Sequence, residues 1–166
     1  MVRQGLRSVV IRRYNHQASH GTAPGGKENL LNRDFGADTI NQKWCTDITY
    51  IYAEKEGWTY LASVMDLYSR KTIGYACRTS MTAELAVEAV KNACRNARAT
   101  EGIILHSDLG SQYTSREFEN CLNSRGIRHS FCRKGNPYDN ACIESFHSVL
   151  KKEEIYLHTY QDFKEA

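Results

Sequence analysis

Residues 44–53 read WCTDITYIYA, a run of β-branched and aromatic side chains interrupted by one aspartate, Asp47. Such a run is typical of a β-strand, and the charged residues and glycine at 54–57 indicate a turn after it. Similar runs predict a second strand over 58–67 and a third over 71–78. Because the connections are short, the three strands should form an antiparallel meander.

After the meander the apolar spacing becomes that of helices alternating with short strands. The predicted elements are, in order, a helix over 82–98 capped by Thr82, a strand over 102–105, a helix opened by a capping box at 114–117, a strand over 127–132, a helix over 138–155 and another helix starting near Thr159. This order predicts an α/β fold with a five-stranded mixed sheet, built from the antiparallel meander plus parallel strands and flanked by helices. Ribonuclease-H-like folds have the same order of elements.

The first 38 residues are predicted to be a basic arm or linker, and residues 39–166 a single domain. No acid precedes Glu28, whereas residues 1–27 contain Arg3, Arg7, Arg12, Arg13 and Lys27. Such an arm can lie on phosphates or remain a solvated tail, and both interpretations stay open. No apolar run approaches the ~18 residues that a membrane-spanning helix needs, so a cytoplasmic location is expected.

The six cysteines are widely and irregularly spaced, with no C-x-x-C pair. This pattern fits neither a zinc site nor a disulfide framework. We expect small, mostly buried thiols.

Three acids lie where separate elements could bring them together. Asp47 is in the middle of the first strand, Asp108 follows the strand at 102–105, and Glu144 is on the helix at 138–155. Taken alone, each acid could be a surface charge or a helix cap. Together they are the ligand set that phosphoryl transfer with two Mg²⁺ ions requires, because hard cations prefer oxygen ligands.

Helical spacing divides the residues of the last long helix into two faces. The predicted buried stripe is Cys142, Ile143, Phe146, Val149 and Leu150. The predicted polar side is Asn140, Glu144, His147, Ser148 and Lys151.

Several collinear blocks resemble bacterial insertion-sequence transposases with retroviral-integrase-type cores, the IS-three group most closely. The blocks are Trp44-x-x-Asp47-Ile48-Thr49-Tyr50, Trp58-x-Tyr60-Leu61-Ala62, Asp66-Leu67-Tyr68-Ser69-Arg70-Lys71, His106-Ser107-Asp108-Leu109-Gly110, Lys134-Gly135-Asn136-Pro137-Tyr138-Asp139-Asn140 and Glu144-Ser145-Phe146. Thirty-five residues separate Asp108 from Glu144, a spacing known in this family.

The resemblance implies a ribonuclease-H-like core in which Asp47, Asp108 and Glu144 hold two Mg²⁺ or Mn²⁺ ions. Such enzymes cut the ends of the mobile element and then use the freed 3′-hydroxyl to attack another phosphodiester, acting on DNA as homo-oligomers. Full-length members also have helix-turn-helix regions upstream and a basic segment downstream. Neither is visible here, so the sequence resembles the catalytic core.

The resemblance also suggests DNA contacts. Lys151 lies two helical turns after Glu144, and it could reach a phosphate near the metals or be simply exposed. Further candidates are Arg133 and Lys134, which could bind phosphates or be ordinary surface charges, and Asn136, Tyr138 and Asn140 in a loop along which DNA would be threaded. Asn136 and Pro137 could equally be a helix cap and first helical residue.

Three other polar residues are given supporting roles. His106 could position Asp108 or be a packed histidine. By resemblance, Asp66 and Asp139 are structurally paired rather than metal ligands, with Arg70 as the expected partner of Asp66.

Two alternatives to a transposase core remain. One is a ribonuclease-H-like nuclease that only hydrolyses, and the other is a catalytically silent DNA-binding core derived from a transposase. Strand joining separates the first from the transposase, and metal-dependent nicking separates the second.

Overall fold

The computed structural model describes residues 27–166. Its regular elements are β1 (Lys43–Ala53), β2 (Gly57–Asp66), β3 (Thr72–Arg78), α1 (Ala83–Arg95), β4 (Ile104–Ser107), α2 (Arg116–Asn123), β5 (Arg128–Phe131), a 3-10 helix (Pro137–Asn140), α3 (Ala141–Glu153) and a second 3-10 helix (Ile155–Leu157).

The five strands form one mixed sheet in the order β3-β2-β1-β4-β5. β1 pairs with β2, and β2 with β3, in antiparallel fashion, whereas β4 runs parallel to both β1 and β5. The predicted meander plus parallel strands is therefore confirmed. Since β4 is only four residues long, it pairs with β1 at the first three residues alone, Lys43 to Cys45.

The alternation of side chains along β1 divides the core between the two faces of the sheet. Trp44 is fully buried among residues of α1 and α2. Its neighbour Cys45 packs instead with Met65 and with Ile143 of α3. Helices α1 and α2 therefore cover one face, and α3 covers the face to which Cys45 and Asp47 belong.

Helix α1 packs closely against β3 at Gly74. A Cβ atom built there would lie 2.5 Å from the carbonyl oxygen of Ala89 in α1. Only a glycine fits at this position, because real Cβ atoms do not approach backbone so closely.

The segment 27–38 lacks regular structure but packs against the core, although it was predicted as part of a linker. Leu31 is 2% exposed in the cluster that contains Ile143. The amide of Phe131 donates to the carbonyl of Glu28 at 2.9 Å. The remainder of the predicted basic arm, residues 1–26, lies outside the described residues.

Several predicted helix boundaries are wrong. α1 ends at Arg95 rather than near residue 98, and the Asn96 side chain donates to the carbonyl of Ile73. At α2 the N-cap is Ser115, whose Oγ accepts from the amide of Phe118, so no capping box forms at 114–117. Thr82 occupies the N-cap of α1 as predicted, but its side chain makes no cap hydrogen bond.

No helix begins near Thr159, contrary to prediction. Tyr160 instead pairs with Ala53 at the end of β1, and its carbonyl accepts from the amide of Glu54 at 2.9 Å. The unpaired edge of β1 offers this backbone a partner that the sequence pattern does not reveal.

The predicted faces of α3 are also partly wrong. Ile143 is fully buried, but Val149 is 54% exposed. His147, assigned to the polar side, is 5% exposed. The buried face of α3 is therefore rotated about the helix axis from the predicted apolar stripe, and His147 faces the sheet.

The turn between β2 and β3 depends on Asp66, which is structurally paired as predicted. One of its carboxylate oxygens accepts from the amide of Asn41, and the other accepts from the amide and hydroxyl of Ser69. Arg70 was expected to pair with the Asp66 carboxylate, but it bonds Asp66 through its backbone amide, which donates to the Asp66 carbonyl at 2.9 Å. Its guanidinium donates to Sγ of Cys142 at 2.8 Å and to the carbonyl of Phe35.

All six cysteines are free thiols, three of them buried and three half-buried, in agreement with the prediction. Within the described part of the chain, no helix is long and apolar enough to cross a membrane.

Candidate active site

Asp47 lies in the middle of β1, two residues past the last ladder pair with β4. Its side chain is half-buried, and the amide of Ile48 donates to Oδ1 at 2.8 Å. The second oxygen, Oδ2, is 3.4 Å from Nδ1 of His147. The carboxylate is thus held at a free strand edge by two partners.

Asp108 is the first residue after β4. Because β1 and β4 are parallel with Cys45 opposite His106, continuing the same register brings Asp108 alongside Asp47. The amide of Gly110 donates to Oδ1 of Asp108 at 2.9 Å. A Cβ at Gly110 would lie 2.9 Å from that same oxygen, so the glycine allows the turn to close on the carboxylate.

Glu144 comes from a third element, the first turn of α3. Within residues 27–166, its exposed carboxylate makes no hydrogen bond or ion pair. One turn later on the same helix, His147 packs against the sheet. Nε2 of His147 lies 2.7 Å from Oγ of Ser63, and Nδ1 lies near Asp47.

Burial and neighbouring acids both raise the pKa values of Asp108 and Glu144. Burial raises the pKa of Asp108, and the charge of Asp47 raises it further, against the lowering effect of the Gly110 amide. Burial likewise raises the pKa of Glu144, as do the charges of Asp47 and Asp108, while His147 lowers it. A bound cation would stabilise the charged forms of Asp108 and Glu144, which burial and the neighbouring acids disfavour.

The acids are not arranged as a closed metal cage. In the described range 27–166, no three His, Cys, Asp or Glu side chains form a ready-made metal site. The donor set nevertheless fits a hard divalent cation, since it consists of carboxylates that repel each other and since Glu144 is unpaired in the described chain.

A groove of about 350 Å³ runs between the free edge of β1 and α3. We call it the catalytic groove. Its walls include Asp47, Tyr50, Glu144, His147, Ser148, Lys151, Lys152 and Tyr156. Asp47 and Glu144 therefore line one groove with two lysines. Asp108 is not part of the groove lining, but its charge raises the pKa of Glu144.

A sequence model of the family described as "Integrase core domain" matches residues 37–137. This match covers more than half of the 166 residues and includes Asp47 and Asp108. The chain belongs to the integrase core domain family.

Curated relatives of this integrase core are transposases. "Transposase InsF for insertion sequence IS3A" of Escherichia coli (strain K12) is 42% identical over 154 residues, which cover 93% of this chain and 53% of the relative. "Transposase for insertion sequence element IS904" of Lactococcus lactis subsp. lactis (strain IL1403) is 41% identical over 143 residues, covering 86% and 56%. The predicted resemblance to IS-three transposases is confirmed, and the chain spans about half the length of these relatives.

Solved structures with the same fold include a viral intasome and a viral integrase core. The simian T-cell lymphotropic virus intasome in complex with PP2A regulatory subunit B56 gamma matches with a TM-score of 0.61 at 22% identity, over 82% of this chain and 45% of that one. The HTLV-2 integrase catalytic core domain in complex with magnesium, in its trimeric form, matches with a TM-score of 0.56 at 20% identity, over 70% and 71%. The predicted ribonuclease-H-like fold is confirmed.

Lys151 lies within the catalytic groove of this integrase core. Its Nζ sits 3.8 Å from the centre of the Tyr50 ring, a cation–π contact that directs the ammonium toward the β1 edge. The predicted phosphate contact of Lys151 remains a prediction, with the side chain in a suitable position.

The segment leading into α3 is tied to the core through Asp139. Its fully buried carboxylate accepts from Nε and Nη2 of Arg133 and from Nε of Arg33, all at 2.8 Å. Burial alone would raise the pKa of Asp139, but the hydrogen bonds from Arg133 and Arg33 outweigh it and hold the pKa well below its ordinary value. Asp139 is thus structurally paired as expected, and the Arg133 guanidinium is already engaged.

The other predicted DNA contacts differ in accessibility. Lys134 and Tyr138 are exposed, and Asn136 is half-buried before the 3-10 helix. Asn140 is 4% exposed, and its Oδ1 has no partner in the described chain. The Asn140 side chain therefore lies inside the fold rather than on a DNA-facing surface.

His106 is a packed histidine. It is fully buried, with Nδ1 2.8 Å from Oγ of Ser130 and Nε2 3.3 Å from Sγ of Cys132. Burial lowers the pKa of His106 to about 4, so the ring is neutral under ordinary conditions.

Sequence reasoning missed two residues of this site, His147 and Gly110. The only signal for His147 was its position one turn after Glu144, which also favours an ordinary polar face. Gly110 stood in a quoted block, but its role as the donor to Asp108 depends on a turn geometry that spacing does not reveal.

Proposed function

We propose that this integrase core domain is the catalytic core of an insertion-sequence transposase, which cuts a DNA strand and transfers the freed 3′-hydroxyl to another phosphodiester. One observation carries the proposal. Asp47 of β1 and Glu144 in the first turn of α3 line one groove, and the parallel register of β1 and β4 continues to Asp108 alongside Asp47. The curated relatives, transposases of insertion sequences, support the same reaction class.

Asp47, Asp108 and Glu144 would hold Mg²⁺ or Mn²⁺, with two ions as the expected number. When bound, such ions activate the attacking oxygen and neutralise charge on the phosphodiester. The structurally similar HTLV-2 integrase catalytic core is in complex with magnesium, which is consistent with this choice of metal.

The three acids contribute differently. Asp47 and Asp108 are oriented in advance, because backbone amides of Ile48 and Gly110 already bind one oxygen of each. Glu144, unpaired in the described chain, is free to adjust its rotamer toward a ligand. Both Asp108 and Glu144 must be deprotonated to bind a cation, so their raised pKa values make activity fall as the solution becomes acidic.

Other residues bind and position the DNA in this proposal. Lys151 neutralises a phosphate beside the acids, with Lys152 on the same groove wall. His147 is a positioning residue, since it links Asp47 to Ser63 and keeps the carboxylate on the groove side. Paired cutting of two element ends implies a homo-oligomer on DNA.

A strand-joining assay tests the proposal. A short duplex with a labelled strand and a free 3′-hydroxyl is incubated with plasmid DNA and Mg²⁺ or Mn²⁺. We expect label to move onto the plasmid with the wild-type chain. Asp108→Asn and Glu144→Gln should each reduce joining by at least 100-fold, because removing one electrostatic group of an active site typically costs ~10²–10³ in rate.

Glu84→Gln is the matched control, since Glu84 is also an exposed acid in the first turn of a helix. It should join at the wild-type rate. Shortened strands without joining would favour the ribonuclease-H-like nuclease, and metal-independent DNA binding without either product would favour the silent core.

A further inference from the structure

A second hollow adjoins the catalytic groove at the tip of the β1–β2 hairpin. It has a volume of about 420 Å³ and is lined mainly by aromatic side chains. We call it the aromatic hollow and define it by Tyr50, Tyr52, Trp58, Tyr156, His158 and Tyr160.

The rings of the hairpin are fixed against each other yet exposed. Trp58 stands opposite Tyr52 in the strand register, and their ring centres lie 5.2 Å apart at 75°. Trp58 also meets Tyr50 edge to face, at 5.0 Å and 90°. Between 51% and 54% of each of these three side chains remains exposed, which is unusual for a cluster that could bury itself.

The aromatic hollow is continuous with the catalytic groove. Tyr50 and Tyr156 line both. The Nζ of Lys151, in the groove, lies 3.8 Å from the centre of the Tyr50 ring. A nucleic-acid strand whose phosphate is held at Lys151 therefore has its neighbouring bases within reach of the hollow.

The chemistry of the hollow suits bases rather than phosphates. Apart from its phenols, the ionisable side chains that line it are Glu54 and His158, and a carboxylate repels phosphate. Exposed aromatic rings beside a basic groove are the usual platform for unpaired bases, because every base offers a flat face for stacking. The volume is also within the range of small-ligand sites.

We propose that the aromatic hollow stacks unpaired nucleobases next to the scissile phosphate, and so holds open the end of the DNA that is being cut or joined. This inference rests on the proposed function for the identity of the ligand. The bases of a duplex already stack on one another, so a strand must leave its partner before its bases can stack on the rings of the hollow. Stacking in the hollow stabilises that separated state.

The two tryptophans of the chain make the test direct. Trp44 is fully buried and Trp58 is exposed in the hollow, so a base stacked there should quench the Trp58 fluorescence selectively. Three DNA probes are titrated without divalent cation: a blunt duplex, the same duplex with three unpaired nucleotides, and one whose unpaired nucleotides are abasic.

We expect quenching, and about ten-fold tighter binding than to the abasic probe, only with the base-containing tail. Tyr52→Ala should abolish that preference. Tyr68→Ala should retain it, because Tyr68 is equally exposed, at 53%, but lies in the β2–β3 turn outside the hollow.

Equal affinity for the two tailed probes with unchanged fluorescence of the wild-type chain would overturn the proposal, as would a base preference that survives Tyr52→Ala. These measurements need no catalysis. If joining occurs but bases are not preferred, only the hollow assignment fails. If bases are preferred but neither cutting nor joining occurs, only the proposed reaction fails.

Discussion

Asp108 is an expected metal ligand whose charged form is disfavoured in the folded protein. Its pKa is raised, mainly by burial and also by Asp47, so the charged form destabilises the folded state above that pKa. We therefore expect Asp108→Asn to abolish joining while raising the metal-free melting temperature at neutral pH. Asparagine keeps the oxygen that accepts from Gly110. The gain should vanish as the pH falls through the raised pKa, because the wild-type carboxyl is then neutral too.

Thermal melts over a pH series, with and without Mg²⁺, measure this effect. Magnesium should raise the melting temperature of the wild-type chain and leave Asp108→Asn unchanged, since a ligand stabilises only the state that binds it. The exposed Asp38→Asn is the control and should respond to Mg²⁺ as the wild type does. A metal-free melting temperature of Asp108→Asn below that of the wild type at neutral pH would contradict the argument.

The candidate acids Asp47, Asp108 and Glu144 could be named from the sequence because blocks of sequence carried the resemblance, and their role as metal ligands stays a prediction. Partners across the fold could not be named in this way. The buried link from His147 to Ser63 joins residues 84 positions apart, and the pairing of Asp139 with Arg33 joins residues 106 apart. Helical periodicity carries no information about such contacts, so His147 was assigned to the wrong face of α3.

Among the elements, β3 and α1 pack closely at Gly74. A Cβ at Gly74 would lie 2.5 Å from the carbonyl oxygen of Ala89. Because this neighbour is helix backbone, strand and helix would have to separate. We expect Gly74→Ala to destabilise the fold by roughly 1–3 kcal/mol, the usual cost of overpacking. Denaturant unfolding followed by circular dichroism gives the value.

Thr72→Ala, at the exposed start of the same strand, should change the free energy of unfolding by less than about 0.5 kcal/mol. If Gly74→Ala were as mild as this control, the close approach of α1 to β3 would not be real. Comparing the two variants thus separates the effect of the Gly74–α1 contact from the effect of any substitution in β3.

The presence of most strands and helices could be predicted from composition and from the spacing of apolar residues, whereas their ends could not. The meander over 44–78 was predictable because β-formers and turn residues alternate clearly along it. The helix expected near Thr159 failed because Tyr160 pairs with the free edge of β1, a tertiary effect. The cap of α2 fell one residue later than the capping pattern because Ser115, not Thr114, reaches the amide of Phe118.

At the scale of the whole molecule, the short β4 explains why the site lies where it does. Since β4 pairs with only the first three residues of β1, the rest of that β1 edge is not covered by β4. Asp47, the catalytic groove and the aromatic hollow all occur along this exposed part. Helix α3 covers the adjoining face and brings Glu144 and Lys151 to the same edge. Acids, lysines and aromatic rings are thereby collected along one edge of the sheet.

DNA should consequently bind at the lysines of the catalytic groove, although the net charge of the chain is only +3. We expect affinity for a short duplex to fall steeply with salt, and Lys151→Ala to reduce the magnitude of the log–log slope by about 0.9, the value for one lost phosphate contact. Lys91→Ala should leave the slope unchanged, because Lys91 is exposed on α1, across the sheet from α3. Fluorescence anisotropy between 50 and 200 mM salt measures both slopes. Over this range of salt, a protein with ~6–10 phosphate contacts loses ~10³–10⁵ in affinity. Equal slopes for the two variants would mean that the phosphates do not lie along the catalytic groove.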